Sequence, residues 1–132
     1  MEEINIKKAN LKTHQAWEDN ADYWDEYMAE GNDFVNVLCW PAMQSLMDIP
    51  PGSRILDIAC GNGLTSRRLA ELGFEVDAFD FSEKMIEKAK QRTKTNVDKF
   101  RYHVIDATDE KALLELGKGK YEGAFSNIAL SI

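Results

Sequence analysis

The chain has 132 residues, of which 44% are hydrophobic and 30% are charged, as expected of one globular domain with a modest core. Its formal charge of −7, from 23 acidic and 16 basic residues, argues against a protein that binds a nucleic-acid backbone. Cys39 and Cys60 are not in a paired spacing, which favours reduced thiols. Neither a signal peptide nor a membrane span is recognisable, so we expect a cytoplasmic protein that does not contact a membrane.

Residues 1–50 predict a helical cover. We expect residues 1–10 to be frayed. Between positions 11 and 28 the large apolar side chains follow helical spacing on one face: Trp17, Ala21, Trp24, Tyr27 and Met28. A second helix is expected from Asp33, its cap, to about Asp48, with an inward apolar face: Phe34, Val37, Leu38, Leu46 and Met47. Pro41 either kinks this helix or occupies the first turn of a restarted one.

From residue 51 onward, predicted strands alternate with predicted helices. Strands are expected at about 54–59, 75–80, 100–106 and 121–127, and helices at about 64–72, 83–92 and 110–116. Ser82 is placed to cap the second of these helices, and Thr108 or Asp109 the third. This alternation is typical of a parallel α/β sheet with right-handed crossovers. Residues 51–132 are therefore interpreted as a Rossmann-like half domain, which we expect to form one compact domain together with the helical cover.

The run from Arg54 to Gly63 carries the most information about function. A short apolar strand is followed directly by two glycines, Gly61 and Gly63, and then by a helix that starts at Leu64. Glycine lets a ligand approach the backbone where a Cβ atom would collide. The start of the helix offers free N–H groups to a carboxylate or a phosphate. The pattern predicts a nucleotide-like ligand at this turn.

Two carboxylates follow the next two predicted strands. Asp80 comes nineteen residues after Gly61, at the end of the second strand, and Asp106 ends the third. Ligands of open α/β sheets bind beyond the carboxyl ends of the strands, where an acidic side chain can accept hydrogen bonds from ribose hydroxyls. Both acids could instead be solvated strand ends or helix caps, a reading that is stronger for Asp106.

The turn does not match a dinucleotide site in full. A third glycine is expected where Ser66 stands, and Asp57 before the turn would repel a pyrophosphate. The same carboxylate suits a ligand with an amino group, so an amino acid joined to a ribonucleoside fits both ends of the site. A nicotinamide-dependent dehydrogenase is the alternative that these residues disfavour.

The motifs resemble those of the class I S-adenosylmethionine-dependent methyltransferases. Residues 57–63 (DIACGNG) resemble their first motif, and residues 80–85 (DFSEKM) the second. Asp106-Ala107 resembles the third motif, and residues 125–127 the fourth. Residues 21–25 (ADYWD) resemble the N-terminal cover of the ubiquinone-biosynthesis-like branch. The resemblance implies a sheet with strand order 3-2-1-4 and helices on both faces, and it implies S-adenosylmethionine as cofactor and methyl transfer to a small molecule.

The resemblance also implies roles for individual residues. Asp57 would orient the amino group of the methionine moiety, and Asp80 would hold the ribose hydroxyls. Asp106 would accept a hydrogen bond from the adenine amino group. The other implied contacts fall into three sets. The backbone cradle comprises Ala59, Cys60, Gly61, Asn62 and Gly63. The adenine contacts comprise Phe81, Met85 and the N–H of Ala107. The remaining contacts are Asn127 at the methionine end and Tyr23 or Trp24 above the pocket, unless those two rings only pack the core.

No catalytic residue or metal ligand is assigned. His14, placed on the exposed side of the first helix, and His103 are interpreted as surface or structural histidines, and no zinc-ligand spacing or Ser-His-Asp order is present. The family's strands five to seven have no counterpart here, which predicts an exposed fourth strand and a fragment, a dimer across that strand, or a terminus that folds back. A catalytically inactive S-adenosylmethionine-binding or interaction module is therefore the main alternative to an active enzyme.

Overall fold

The computed structural model describes residues 5–127 and contains a four-stranded parallel sheet. The strands are β1 (Arg54–Ile58), β2 (Glu75–Asp80), β3 (Phe100–Val104) and β4 (Gly123–Phe125), in the order β3-β2-β1-β4. The register pairs Ile55 with Val76 and with Gly123. The order 3-2-1-4 and the parallel pairing confirm the predicted fold class.

Five α-helices accompany the sheet over the described range. They are α1 (Ile6–Met28), α2 (Trp40–Leu46), α3 (Leu64–Glu71), α4 (Glu83–Arg92) and α5 (Glu110–Gly117). The side chain of Ser82 accepts a hydrogen bond from the N–H of Met85, and that of Asp109 from the N–H of Ala112, so both act as the predicted caps. Over residues 5–127 no helix combines the length and apolar character of a membrane span.

The main core lies on one face of the sheet. Ile55, Val76 and Ala78 alternate along β1 and β2 onto this face and are fully buried. Leu69 and Ala70 of α3 cover them, and partly buried side chains complete the layer: Trp40, Met47, Ile49, Phe100, Tyr102 and Phe125.

The opposite face is more polar. Asp77 of β2 lies there, 4% exposed, and accepts hydrogen bonds from Arg101 Nε at 2.8 Å and from Tyr121 Oη at 2.7 Å. Burial would raise the pKa of Asp77, but these hydrogen bonds and the nearby guanidinium groups lower it. His103 Nε2 lies 3.7 Å from Asp77 Oδ1 on the same face.

Two expectations for the N-terminal cover are wrong. Residues 6–10 are helical rather than frayed, because α1 begins at Ile6 and Asn5 accepts a hydrogen bond from the N–H of Lys8. His14, expected on the exposed side of α1, is instead partly covered: its side chain is 39% exposed, and its ring meets Phe81 edge-on with centroids 5.6 Å apart.

The second predicted helix is divided, and its face differs from the prediction. Phe34–Cys39 form a π-helical segment in which the N–H of Trp40 bonds to the carbonyl of Val35, and Pro41 then occupies the first turn of α2. Its start is capped by Asn32 rather than Asp33, through the N–H of Val35. Val35 is buried against Met28 and Leu64, whereas the predicted inward side chains, apart from the partly buried Met47, are exposed: Phe34, Val37, Leu38 and Leu46.

Candidate cofactor site

The turn after β1 requires an unusual backbone. Ala59, Gly61 and Gly63 all have positive φ angles, of 54°, 55° and 79°. The N–H of Cys60 donates to the carbonyl of Phe79 at 2.9 Å, and the N–H of Gly63 to that of Cys60 at 3.0 Å. These bonds fix the loop between β1 and α3 beside the end of β2.

Glycine is required at the two positions of the turn for different physical reasons. A Cβ atom at Gly63 would lie 2.9 Å from Tyr102 Oη and 3.1 Å from the Cβ of Ala89, so this position is closed by the packing of β3 and α4. A Cβ atom at Gly61 would lie 3.5 Å from Met85 Cε and 3.8 Å from Trp24 Nε1. It would thus protrude between two side chains that line a cavity rather than into the core.

Asp80 joins the turn to the end of β2. Its two carboxylate oxygens accept hydrogen bonds from the N–H of Gly61 and from the N–H of Ser82, each at 3.0 Å. Burial raises the pKa of Asp80 above its ordinary value, although these backbone hydrogen bonds oppose the shift. Each oxygen keeps a lone pair for a hydroxyl donor.

Asp57 is the more deeply buried carboxylate. It is 1% exposed and accepts a hydrogen bond of 2.5 Å from Ser66 Oγ on α3. Burial raises the pKa of Asp57 to about 7, and the neighbouring charge of Asp80 adds to the shift. Burial also raises the pKa of the Cys60 thiol in the same turn. Near neutral pH, Asp57 is therefore poised between its protonated and ionised forms.

Two adjoining cavities lie over the turn. One, of about 190 Å³, is lined by Thr13, Trp17, Trp24, Ala59, Gly61, Asp80, Phe81, Met85 and Asn127. The other, of about 40 Å³, is lined by Trp24, Met28, Asp57, Ala59, Cys60, Gly61, Asn62, Leu64, Thr65 and Asn127. Ala59 and Gly61 line both, so the glycine turn forms a common floor with Asp80 on one side and Asp57 on the other.

Helix α1 covers the cavities and is held at the Asp80 side by Glu18. Glu18 Oε1 accepts hydrogen bonds from Ser82 Oγ at 2.6 Å and from the N–H of Lys84 at 3.3 Å. Burial alone would raise the pKa of Glu18, but these bonds at the start of α4 lower it. Ser82 is itself fully buried.

At the Asp57 side, α1 is held by Asp25. Its carboxylate pairs with Arg92 at the end of α4, at 2.6 Å, and accepts a bond of 3.2 Å from the amide of Asn62. Asn62 Nδ2 also donates to the carbonyl of Ala29. Burial would raise the pKa of Asp25, but the hydrogen bonds from Arg92 and Asn62 lower it. The side chain of Asn62 thus ties the turn to α1 rather than pointing at open space.

Most of the predicted site residues meet at these cavities, and four do not line either one. The residues brought together are Asp57, Ala59, Cys60, Gly61, Asn62, Asp80, Phe81, Met85, Asn127 and Trp24. Gly63 underlies them in the turn. Tyr23 is 67% exposed on the outer side of α1 and stacks on Tyr27. Asp106 accepts hydrogen bonds from the backbone and side chain of Thr108 and from Asn10, and Ala107 is exposed.

The sequence reasoning missed Thr13 and Trp17 as cavity residues and Ser66 as the partner of Asp57. Trp17 and Trp24 are seven residues apart, two helical turns, and their rings meet edge-on at 5.6 Å. That spacing was available in the sequence, but it equally predicts plain core packing. Ser66 stood out only as a missing glycine, although a hydroxyl three residues after Gly63 faces back toward the strand.

Comparisons with known proteins agree with this geometry. A family model described as a methyltransferase domain matches residues 55–132. A magnesium-protoporphyrin O-methyltransferase of Rhodobacter capsulatus is 36% identical over 81 residues, which are 61% of this chain and 35% of that protein. A ubiquinone biosynthesis O-methyltransferase of Bordetella avium is 29% identical over 103 residues, 77% of this chain and 42% of that protein. The chain spans less than half the length of these curated relatives.

Solved structures show the same fold. An S-adenosylmethionine dependent methyltransferase from Mesorhizobium loti matches with a TM-score of 0.53 and 30% identity, covering 66% of this chain and 37% of that one. The magnesium protoporphyrin IX methyltransferase of Synechocystis, solved with S-adenosylhomocysteine, matches with a TM-score of 0.63 and 22% identity, covering 88% and 57%. By its strand order, its glycine turn and the match over residues 55–132, the chain belongs to the methyltransferase domain family of class I, whose cofactor is S-adenosylmethionine.

Proposed function

We propose that this chain binds S-adenosylmethionine over the glycine turn and forms the cofactor-binding part of an enzyme that methylates a small molecule. The observation that carries the proposal is Asp80. Its carboxylate closes a cavity whose floor is the backbone of Ala59 and Gly61, and two N–H groups hold it in place while leaving lone pairs for ribose hydroxyls.

The described residues fit the cofactor. A Cβ atom at Gly61 would enter the cradle, so the glycine keeps it open. Phe81 and Met85 offer an apolar wall beside Asp80 for the adenine ring. Asp57, across the turn, suits the amino group of the methionine moiety, and Asn127 lines the same end. The roles of Asp106 and Ala107 toward adenine stay predictions.

The chain's own groups can hold and release a proton at the methionine end. Because Ser66 Oγ donates to Asp57 Oδ2, a proton on this carboxyl group occupies Oδ1. An approaching ammonium group favours the ionised carboxylate, so binding would displace that proton.

When bound, S-adenosylmethionine supplies a methyl group that is already activated by its sulfonium. The protein's contribution is then alignment and exclusion of water, which the buried turn and the rings of Trp17 and Trp24 provide. A general base is required only if the acceptor must lose a proton. None is assigned here.

The small volume of the cavities implies movement of α1. Ligand clefts usually span about 300 Å³ or more, whereas the larger cavity here measures about 190 Å³. The polar contacts of Glu18 and Asp25 hold α1 beside the two cavities, and we expect them to shift when the cofactor enters.

The proposal is tested by calorimetric titration of the whole chain with S-adenosylhomocysteine. Asp80→Asn keeps the shape of the side chain but loses the charge, and Asp80→Ala removes it. We expect at least about a tenfold weaker affinity for either variant, in a chain whose circular dichroism is unchanged. Asp109→Ala, which changes a carboxylate outside the cavities, is the matched control and should bind like the parent.

Unchanged affinity in folded Asp80 variants would contradict the ribose role. Binding of NAD without binding of S-adenosylhomocysteine would instead favour a dehydrogenase. Binding of S-adenosylhomocysteine without any methyl transfer would favour an inactive cofactor-binding module.

We also propose that β4 pairs with a further strand, in a homodimer or with another segment. β4 is bonded to β1 on one side, and no other strand within residues 5–127 borders it. Ile128 and Leu130, which follow β4 in the sequence and are expected near this edge, lie outside the described residues. Sedimentation of Ala124→Lys against the parent tests the pairing, since Ala124 is exposed on β4 and a charge at this edge should lower the solution mass.

A further inference from the structure

A groove on α1 adjoins the cofactor cavity and is not used by it. The groove has a volume of about 260 Å³ and is lined by Ala16, Trp17, Asn20, Tyr23 and Trp24. These positions follow the spacing i, i+1, i+4, i+7 and i+8, so they form one stripe of the helix.

The groove is continuous with the proposed cofactor site. Trp17 and Trp24 line both the groove and the larger cavity, and Trp24 also lines the small cavity beside Asp57. Trp24 therefore stands where the two halves of the cofactor cavity meet. A molecule in the groove would touch the same indole rings as the cofactor.

The lining defines the chemistry of an occupant. Three of the five lining side chains are aromatic and none is charged, so the groove favours a flat aromatic occupant and offers an anion no cationic partner. The neighbouring exposed acids of α1, Asp19 and Glu26, would repel an anion. Asn20 Nδ2 is bonded to the carbonyl of Ala16, which leaves Asn20 Oδ1 as an acceptor for a hydroxyl group.

We propose that this groove holds the methyl acceptor and that the acceptor is a flat aromatic molecule with a hydroxyl group and no negative charge. The assignment rests on the proposed function, because the acceptor must lie next to the cofactor. Tyr23 then forms the outer wall, and its stacking on Tyr27, with ring centroids 6.2 Å apart, holds it in place without a core contact.

The test uses 2-naphthol as probe, with the whole chain saturated with S-adenosylhomocysteine. Binding is followed by the indole N–H signals of Trp17, Trp24 and Trp40 in ¹H–¹⁵N spectra. We expect 2-naphthol to shift the signals of Trp17 and Trp24 but not that of Trp40. Tyr23→Ala should lower the affinity for 2-naphthol by about three- to tenfold, as expected for loss of one aromatic contact. Its affinity for S-adenosylhomocysteine should not change.

Two matched controls sharpen the result. Phe34→Ala removes another exposed aromatic ring, 57% exposed and outside the groove, and should leave the affinity for 2-naphthol unchanged. Decahydro-2-naphthol has the same connectivity but is not flat, and it should bind several-fold more weakly than 2-naphthol. Since Tyr23 is 67% exposed, its truncation does not threaten the fold.

The outcomes separate this inference from the proposed function. Equal affinity of 2-naphthol for the parent and Tyr23→Ala, or a response only at Trp40, overturns the acceptor site while S-adenosylhomocysteine still binds. A dimer that Tyr23→Ala dissociates also overturns it, because the groove would then be an interface between copies. Failure of the parent to bind S-adenosylhomocysteine overturns the proposed function and the acceptor assignment with it.

Discussion

The cofactor cavity has two halves, one beside Asp80 and one beside Asp57. The two carboxylates come from neighbouring strands, but their surroundings differ. Asp80 accepts two backbone N–H groups and lines the larger cavity. Asp57 is almost fully enclosed and accepts one side-chain hydrogen bond, from Ser66. Burial raises the pKa of both carboxyl groups, but backbone N–H donors oppose the shift at Asp80, whereas the pKa of Asp57 rises to about 7. Two backbone hydrogen bonds thus hold Asp80 in place, and the Asp57 half titrates near neutral pH.

The largest expected effect is at Gly63, beneath the Asp57 half. Gly63→Ala should lower the free energy of unfolding by about 3 kcal/mol, because it combines a left-handed backbone with a collision against Tyr102 and Ala89. Gly119→Ala is the matched control, since its φ of 73° is similar but its Cβ meets nothing within 4 Å. It should lower the free energy by about 1 kcal/mol. Equal losses in urea denaturation would show that packing at the turn is not decisive.

The next effect is the pH dependence of stability at Asp57. With a folded pKa of about 7, the folded chain holds a proton that the unfolded chain releases near pH 4. Stability from this group is therefore present below about pH 4 and declines as the pH rises to about 7. Asp57→Asn should be the more stable chain at pH 8 by about 2 kcal/mol, and it should bind S-adenosylhomocysteine more weakly. Urea denaturation at pH 5 and pH 8 measures this, and parallel profiles for both chains would contradict a buried titrating Asp57.

A smaller effect is expected where α1 is tied to the Asp57 half. Arg92→Met should lower the free energy of unfolding by about 1.5 kcal/mol, because it leaves the buried Asp25 without its cation. Lys88→Met removes the more exposed pair with Asp22 and should have no measurable effect. Stopped-flow binding should also show faster entry of S-adenosylhomocysteine in Arg92→Met. Slower or unchanged entry would mean that α1 need not move.

The smallest effect is expected at Ala59. This residue lines both halves of the cavity and has a left-handed backbone conformation although it is not glycine. Ala59→Gly removes the backbone strain of a φ of 54° in the folded chain but raises the conformational entropy of the unfolded chain. These two effects on the free energy of unfolding nearly cancel. We expect the free energy of unfolding to change by less than about 1 kcal/mol. Thermal unfolding of the parent and the variant measures the difference. A loss as large as that of Gly63→Ala would show that the methyl group of Ala59 packs the cavity.

Local chemistry predicted much of this molecule. The apolar alternation, the glycine turn and the cap at Ser82 each depend on residues near one another in the chain, and they determined β2, α4 and the parallel order. The prediction for the second helix was wrong because its apolar residues lie on two different faces of a helix. Contacts from elsewhere chose between them: Val35 packs on Leu64, and Asn36 bonds to Arg68.

The sequence by itself determined the family-defining turn and the two strand-end carboxylates, since each is a short segment whose backbone requirements are written in its own residues. The tertiary structure alone decided that Asp57 is enclosed with Ser66 and that α1 covers the turn through Glu18 and Asp25. The tertiary structure also decided that Tyr23 lines an outer groove rather than covering the pocket. Burial and long-range hydrogen bonds depend on residues far apart in the chain, so they exist only once the helices have packed.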